Sequence, residues 1–445
     1  MSKFIKPRAP KGFRDFLPRD MRRRRYVIAC ITEVFERFGF EPLDTPILEL
    51  RETLFGKYGE DAEQLIFSAQ HGRSASEPLA MRYDLTVPLA RVVAQRESQL
   101  SLPFKRYHIA PVFRGERPQR GRYREFYQCD ADIVGVAGVM ADAEIVIMMQ
   151  RILSRLGFPQ FVIKVNHRRL LTAIGAFSGL PAEQLPDLYR SVDKFDKLGA
   201  AGVRKELAAR GIAADAISRM MDLLSAKAPG TASLDQIEAA LGKGDNGLDE
   251  LRELAHLLAA ADVPAEHIDF DFTMARGLGY YTGPIFETVI SQPNLGSITG
   301  GGRYDNLIGM FRRQSLPTTG TSFGIERIID LLDELDLYPA ALGGSSVQAL
   351  VTVFGADTRR ESLRIADALR TAGINTELHL EARKLGRQIA YADRKGIPLV
   401  AIAGSEEISA GVVKLRRLAD RREMDVKREE IGVAAQALLM DADYE

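Results

Sequence analysis

The sequence predicts an α+β domain built on an antiparallel sheet, carrying a helical insertion and followed by a smaller α/β domain. Two strand-like runs, RYHIAPVFR and RYREFYQCDADIVG, flank the polar stretch GERPQRG and predict a long-looped antiparallel hairpin. A stretch from about 182 to 262 is rich in Ala, Leu, Lys, Glu and Asp and poor in aromatic runs, which predicts the helical insertion. Beyond LYPAALGGSSV, whose composition is that of a linker, strand and helix alternate. The expected boundaries are 1–336 for the first domain, 337–347 for the linker and 348–445 for the second domain.

Taken in order, Asp20 is read as the N-cap of an amphipathic helix that includes the run Arg22 to Arg25. Val27, Ile31, Val34, Phe35 and Phe38 share one side of it, and Gly39 is its stop. FEPLDTPILEL is extended, but Pro42 and Pro46 confine it to an edge or irregular position, as an interface strand. After the hairpin, Ile145, Met149, Ile152 and Leu156 mark a helix over 141–156, with Gly157 behind it. Strands and glycines return after Asp269, and TGTSFGIERIIDLLDEL enters a helix. In the second domain ALVTVFG, a helix to Gly373, INTELHL, a helix to Gly396 and IPLVAIAG predict a small sheet of parallel βαβ units.

Bulk properties bound the function. The 445 residues allow two to four domains, and 46% apolar with 27% charged residues is a globular balance. Sixty basic and sixty acidic residues cancel, so any nucleic-acid surface is local. Two cysteines, Cys30 and Cys129, exclude a disulfide framework or zinc cluster and point to a reducing compartment, the cytoplasm. No segment has the make-up of a signal peptide or a membrane span, so no membrane partner is expected.

Common catalytic signatures are missing: there is no GxxxxGK[ST], strand-linked GxGxxG or HExxH. Arginines in strand-like segments beside aromatics and carboxylates stand out instead: Arg114, Arg122, Arg276 and Arg327. A guanidinium is permanently charged, forks onto phosphate oxygens and stacks on rings, so several on one sheet face suit a triphosphate and a purine. Any one of them could equally be a structural ion pair; the combination carries the expectation. In GGGRYD the glycines lack the strand-to-helix setting of a nucleotide loop and suit a close backbone approach.

Together these segments resemble the histidyl-tRNA synthetases, within the class II aminoacyl-tRNA synthetases, over nearly the whole chain. PKGFRDFLP and the helix leading to Pro46 are similar to motif 1, FRGERPQRGRYREFYQCDADIVG to motif 2 and GTSFGIERI to motif 3. ARGLGYYTGPIFE and GGGRYD are similar to the pair of signatures particular to the histidine enzyme. The resemblance implies a homodimer built through motif 1, a class II catalytic sheet and a C-terminal anticodon-binding domain. It also implies the substrates histidine, ATP and tRNA(His), with Mg²⁺ on the ATP phosphates and no dedicated metal cluster.

Roles carried over by the resemblance are as follows. Arg114 holds the α-phosphate and the substrate carboxylate, Glu116 reads the adenine edge, and Phe126 and Arg327 sandwich the adenine, Arg327 also reaching toward the γ-phosphate. Arg122 is a further γ-phosphate ligand. Arg276 supplies a fixed cation near the α-phosphate, where charge grows. Asp84, Thr86 and Gln128 bind the α-ammonium, and Asp132 and Tyr281 take the two ring nitrogens of histidine, with Tyr304 lining the pocket. An imidazole pairs one donor with one acceptor, which a carboxylate and a phenol can select. Arg117 and Gln119 in the motif 2 loop are candidates for the tRNA acceptor end; Lys384, Arg387, Arg394 and Lys395 are candidates for phosphate contacts in the C-terminal domain. Asp84 and Asp132 stand where many bacterial relatives have glutamate, and Gly279 where the family often has aspartate. The main alternative is the noncatalytic synthetase-like regulatory subunit of ATP phosphoribosyltransferase, which lacks the anticodon module.

Overall fold

A computed structural model describes residues 5–56, 63–70, 77–228, 230–275, 280–342 and 344–440. The chain divides into two compact units, one of residues 1–15 with 24–337 and the other of 16–23 with 338–445.

The first unit is organised by an eight-stranded sheet. In chain order its strands are β1 (Glu41–Pro42), β5 (Phe104–Phe113), β6 (Glu125–Val134), β7 (Val162–His167), β8 (Ile268–Phe270), β9 (Pro284–Val289), β10 (Thr299–Arg303) and β11 (Thr318–Gly324). Their spatial order is β1-β5-β6-β11-β10-β9-β7-β8. The six central strands run antiparallel, as expected, while β1 joins β5 and β8 joins β7 in parallel at the two edges. The prolines of FEPLDTPILEL have the predicted effect: Pro42 ends the two-residue edge strand β1, and pairing resumes only at β2 (Leu48–Leu50). β2 belongs to a separate three-stranded sheet with β3 (Ser68–Ala69) and β4 (Leu79–Met81), in the order β2-β4-β3.

One face of the large sheet carries helices. Helix α1 (Pro18–Arg37) buries Val27, Ile31, Val34 and Phe35. The Phe35 ring lies 6.0 Å from that of Phe323 on β11 and 5.5 Å from that of Tyr107 on β5. Phe35 has no solvent exposure, so Phe35→Ala would cost about 3–5 kcal/mol. Gly39 follows the helix at φ +74°, a conformation that disfavours side chains, and turns the chain into the sheet. Asp20 is not the N-cap: the helix begins at Pro18, which puts Asp20 in its first turn, where a carboxylate still suits the positive helix end. Short α2 (Arg51–Leu54) and α3 (Thr86–Arg96) follow, then α4 (Met140–Arg155) after the hairpin.

The insertion is helical as expected. Behind β7 and α5 (Arg168–Phe177) come α6 (Leu185–Val192), α7 (Phe195–Ala209), α8 (Ala214–Leu224), α9 (Ala232–Leu241) and α10 (Leu248–Ala260). His167 accepts from the Arg169 amide through Nδ1 and donates from Nε2 to Glu250 at 2.6 Å, and so ties the end of β7 to α10. Helix α11 (Ile325–Glu334) leaves β11 directly, so Arg327 sits on a helix rather than in a strand.

In the second unit β12 (Ala349–Val351), α12 (Arg359–Thr371), β13 (Thr376–Leu378), α13 (Leu385–Lys395) and β14 (Leu399–Ile402) form the expected parallel βαβ units. The sheet does not stay parallel. After short α14 (Ser405–Ala410), β15 (Val412–Arg417) and β16 (Glu423–Lys427) add as an antiparallel hairpin, and α15 (Ile431–Met440) follows. A helix of six residues leaves β15 to pair antiparallel beside β14; parallel pairing needs a longer crossover. The hairpin was missed because its strands, VVKLRR and EMDVK, are too charged to read as core strands, and only alternate residues such as Val413, Leu415 and Val426 are buried.

Candidate functional site

The site forms on the sheet face opposite α1. Side chains alternate along a strand, so Phe126, Gln128, Asp130 and Asp132 of β6 line one face while Tyr127, Cys129 and Ala131 point to the helices. Cross-strand register puts Arg106 and Gly320 beside Asp132, His108 and Ser322 beside Asp130, and Ala110 and Gly324 beside Gln128.

At the Phe126 end lies an open cleft lined by Arg114, Glu116, Arg122, Phe126, Gln128 and Arg327, closed on one side by residues 297–300. The Arg114 guanidinium is 4.4 Å from the Tyr83 ring centre and 5.1 Å from that of Phe126, and its Nε donates to the Tyr83 carbonyl at 3.0 Å. Its Nη2 reaches Gln128 Oε1 at 3.4 Å. Arg122 pairs with Glu116 at 3.0 Å and is half-exposed. Arg327 donates to the Ser297 carbonyl. Glu326, beside it, is buried and satisfied by Arg24 at 2.7 Å and the Tyr127 amide at 3.2 Å, which fixes the start of α11 under the cleft.

At the Asp132 end the site is closed and acidic. Asp132 is buried, with Arg106 at 2.6 Å on one oxygen and the Tyr304 hydroxyl donating to the other. The Tyr280 ring lies between, 4.9 Å from Tyr281 and 5.7 Å from Tyr304. Asp84, just ahead of the N-cap Leu85, accepts from the Val87 amide at 3.1 Å in the first turn of α3, whose first residue is Thr86. Burial pushes the Asp132 carboxyl above its ordinary range against the pull of Arg106. Asp130 is pushed up to about 7, mainly by burial, with Arg106 opposing and Asp132 adding. Burial also raises the Tyr281 and Tyr304 phenols, which therefore stay neutral hydrogen-bonding groups.

Ten of the expected ATP- and histidine-site residues thus gather on this face: Arg114, Glu116, Arg122, Phe126, Gln128 and Arg327 in the cleft, and Asp84, Asp132, Tyr281 and Tyr304 at the closed end. Arg276 and Gly279 lie outside the described residues. Sequence reasoning missed Arg106, Asp130 and Ser322. Asp130 was legible, because it stands midway in the period-two series Phe126, Gln128, Asp130, Asp132; Arg106 was not, since its partner comes from another strand. Ser322 accepts from Gln128 at 2.8 Å. In GGGRYD, Arg303 is structural: it grips Asp142 of α4 at 2.5 Å and the carbonyls of Val136 and Gly138.

The expected tRNA residues are not part of this site. Arg117 and Gln119 are exposed on the tip of the β5–β6 loop, where Gln119 and Arg122 pair through their backbones at 2.9 Å. In the second unit Lys384 and Arg387 lie at the start of α13, and Arg394 and Lys395 at its end; Lys395 is already held by Glu377. Among the described residues, no three His, Cys, Asp or Glu side chains are arranged to hold a metal ion, and no helix is long and apolar enough to cross a membrane.

Comparison with known proteins gives the same picture at full length. Residues 12–328 match the family model described as histidyl-tRNA synthetase, and residues 348–437 match an anticodon binding domain. The chain is 41% identical to a histidine–tRNA ligase of Aeropyrum pernix, covering 98% of this chain and 99% of the relative. It is 38% identical to one of Bacteroides fragilis, covering 96% and 98%. A histidyl-tRNA synthetase structure from a Nostoc species superposes with a TM-score of 0.85 at 29% identity, over 98% of this chain and all of that one. A Bacillus halodurans protein described as an ATP phosphoribosyltransferase regulatory subunit/histidyl-tRNA synthetase shares the fold, with a TM-score of 0.77 at 23% identity over 91% of this chain and all of that one.

Proposed function

The chain belongs to the histidyl-tRNA synthetase family, whose histidine–tRNA ligase activity is its own, and from that premise we propose that one face of the central sheet holds both activation substrates. The carrying observation is the row Phe126, Gln128, Asp130, Asp132, which runs from the arginine-lined cleft to the tyrosine-lined pocket. At about 3.3 Å per residue the row spans roughly 20 Å, a length suited to an adenylate laid along it. ATP occupies the cleft, its adenine against Phe126 and Arg327 with Glu116 at the ring edge. Arg114 meets the α-phosphate and the amino-acid carboxylate; Arg122 meets the γ-phosphate. Histidine occupies the closed end, its ammonium among Asp84, Thr86 and Gln128 and its ring between Asp132 and Tyr281.

Reaction follows from placement. The histidine carboxylate attacks the α-phosphorus in line, pyrophosphate leaves, and the terminal hydroxyl of tRNA(His) then takes the acyl group from the adenylate. Arg114, pinned by Tyr83 and flanked by two rings, is a preorganised cation for the charge that grows on the α-phosphate; Arg276 would be a second. The carboxylates Glu116 and Glu326 of the cleft are engaged by Arg122 and Arg24, which suits Mg²⁺ arriving on the ATP phosphates rather than in a protein cage; bound there, it neutralises phosphate charge.

Arg117 and Gln119 face solvent beside the cleft and suit the acceptor end of tRNA; Lys384, Arg387, Arg394 and Lys395 suit the backbone of the anticodon arm. A homodimer is supported by Ile47, Leu48 and Leu50, exposed apolar residues of FEPLDTPILEL at the end of motif 1. A cytoplasmic setting is supported by two unpaired, buried cysteines.

The test is histidine-dependent ATP–pyrophosphate exchange with Asp132→Asn. A rise in KM for histidine with little change for ATP is expected, because a ring nitrogen loses its carboxylate at a cost of roughly 1–3 kcal/mol. Equal effects on both substrates would make Asp132 structural, and absence of exchange in the unaltered protein would favour the regulatory-subunit alternative.

A further inference from the structure

The closed end of the site contains a cation that no role yet uses. Arg106 has no solvent exposure and lies on the site face of β5, in register with Asp132 of β6. Its Nη2 is 2.6 Å from the Asp132 carboxylate and 3.3 Å from the Leu85 carbonyl. We propose that Arg106 is a positioning residue for histidine selection, holding Asp132 ionised and fixed so that it meets the substrate imidazole as an acceptor. The inference rests on Asp132 being the ring-binding acid.

Geometry carries it. Asp132 has one oxygen on Arg106 of β5 and the other on the hydroxyl of Tyr304, just past β10, so its plane is set from two sides before any ligand arrives. Both partners are donors, and only the ionised carboxylate meets them as a pure acceptor on both oxygens. The remaining titratable groups near it are Asp130 on the same strand, Asp84 ahead of α3, and the neutral phenol of Tyr281, while His108 follows Arg106 on β5. The like charge of Asp84 opposes ionisation of Asp132, and burial opposes it more strongly. Arg106 is the largest influence in the other direction. A fully buried arginine is also an expensive choice for packing alone, since leucine would fill the strand position without desolvating a charge.

Without Arg106, burial and Asp84 would push the Asp132 carboxyl further toward its protonated form, with only the Tyr304 hydroxyl opposing them. A protonated carboxyl presents its hydroxyl as a donor and no longer offers an acceptor on both oxygens, so histidine would bind poorly until rising pH ionised it. ATP, at the other end of the row, would not notice.

The experiment compares Arg106→Leu, Arg106→Lys and Asp132→Asn by pyrophosphate exchange across pH. Arg106→Leu should raise KM for histidine about ten- to a hundredfold near neutrality, leave KM for ATP unchanged, and recover as pH rises; Arg106→Lys, which keeps a cation, should recover most of the loss. A KM–pH profile for Arg106→Leu parallel to that of the unaltered protein, or equal losses for Lys and Leu, would overturn the proposal. If Asp132→Asn itself leaves histidine use intact, the assignment of the pocket fails rather than the role of Arg106. Should Arg106→Leu not fold, carboxyl ¹³C NMR of Asp132 in the unaltered protein decides: an ionised signal at neutral pH is expected, and a protonated one overturns it.

Discussion

Asp132 and Gly320 face each other across β6 and β11 at a point where a Cβ on residue 320 would lie 2.0 Å from the Asp132 carboxylate oxygen and 2.8 Å from the Ala131 carbonyl. The carboxylate therefore leans over bare backbone. Gly320→Ala should push Asp132 off Arg106 and Tyr304, destabilise the fold by about 1–3 kcal/mol, and raise KM for histidine more than KM for ATP. Thermal midpoints and exchange kinetics on the same preparation check this; an unchanged histidine KM would mean the carboxylate is free to relocate.

Arg114 is held by a carbonyl at 3.0 Å and by two ring faces, so it needs no rearrangement to meet a phosphate. Arg114→Ala should lower adenylate formation about a hundred- to thousandfold while the thermal midpoint changes little. Exchange within tenfold of the unaltered enzyme would remove Arg114 from the chemistry.

Asp130 predicts two opposite pH trends. Its folded pKa, about 7, lies above the unfolded value, so the folded state binds the extra proton between roughly pH 4 and 7. Stability from this group is present below that window and lost as pH rises through it, and Asp130→Asn should flatten the decline in thermal midpoint. Ligand binding runs the other way: ionised Asp130 favours the histidine ammonium, so KM should fall as pH rises through neutrality and fall less in the variant. Identical slopes for both proteins would show that Asp130 does not titrate there.

Glu250 supplies a stability test far from the site. Hydrogen bonds from His167 and Arg169 hold its carboxyl down to about 2, so its contribution is present above the unfolded carboxyl pKa and lost as pH falls toward 2. Glu250→Gln should lower the thermal midpoint at neutral pH and converge on the unaltered protein in acid. A constant gap across that range would rule out the ion-pair cause.

A chain ending at Leu337, the limit of the first unit, keeps every proposed ATP and histidine ligand. It should retain histidine-dependent exchange and lose most tRNA charging, because phosphate contacts and their counterion release go with the second unit. Full charging by a folded, truncated chain would remove the anticodon role from residues 348–437.

By itself the sequence determined the fold class and displayed most of the helices, the central hairpin and the candidate residues of the site. Period-two alternation reveals which residues of RYREFYQCDADIVG share a face, and helical spacing with Gly39 and Gly157 behind it marks where helices stop. Those signals are local, so one strand or helix is enough to display them. Tertiary structure alone decided which strand lies beside which. That is why Arg106, 26 residues from Asp132 in sequence, gave no sign of its partner, and why the second sheet's antiparallel hairpin, with charged residues on its exposed side, stayed out of the predicted parallel sheet. It also decided why residue 320 must lack a side chain: pairing of β6 with β11 brings the Asp132 carboxylate to within 2.0 Å of a Cβ built there, a closeness that only cross-strand register produces.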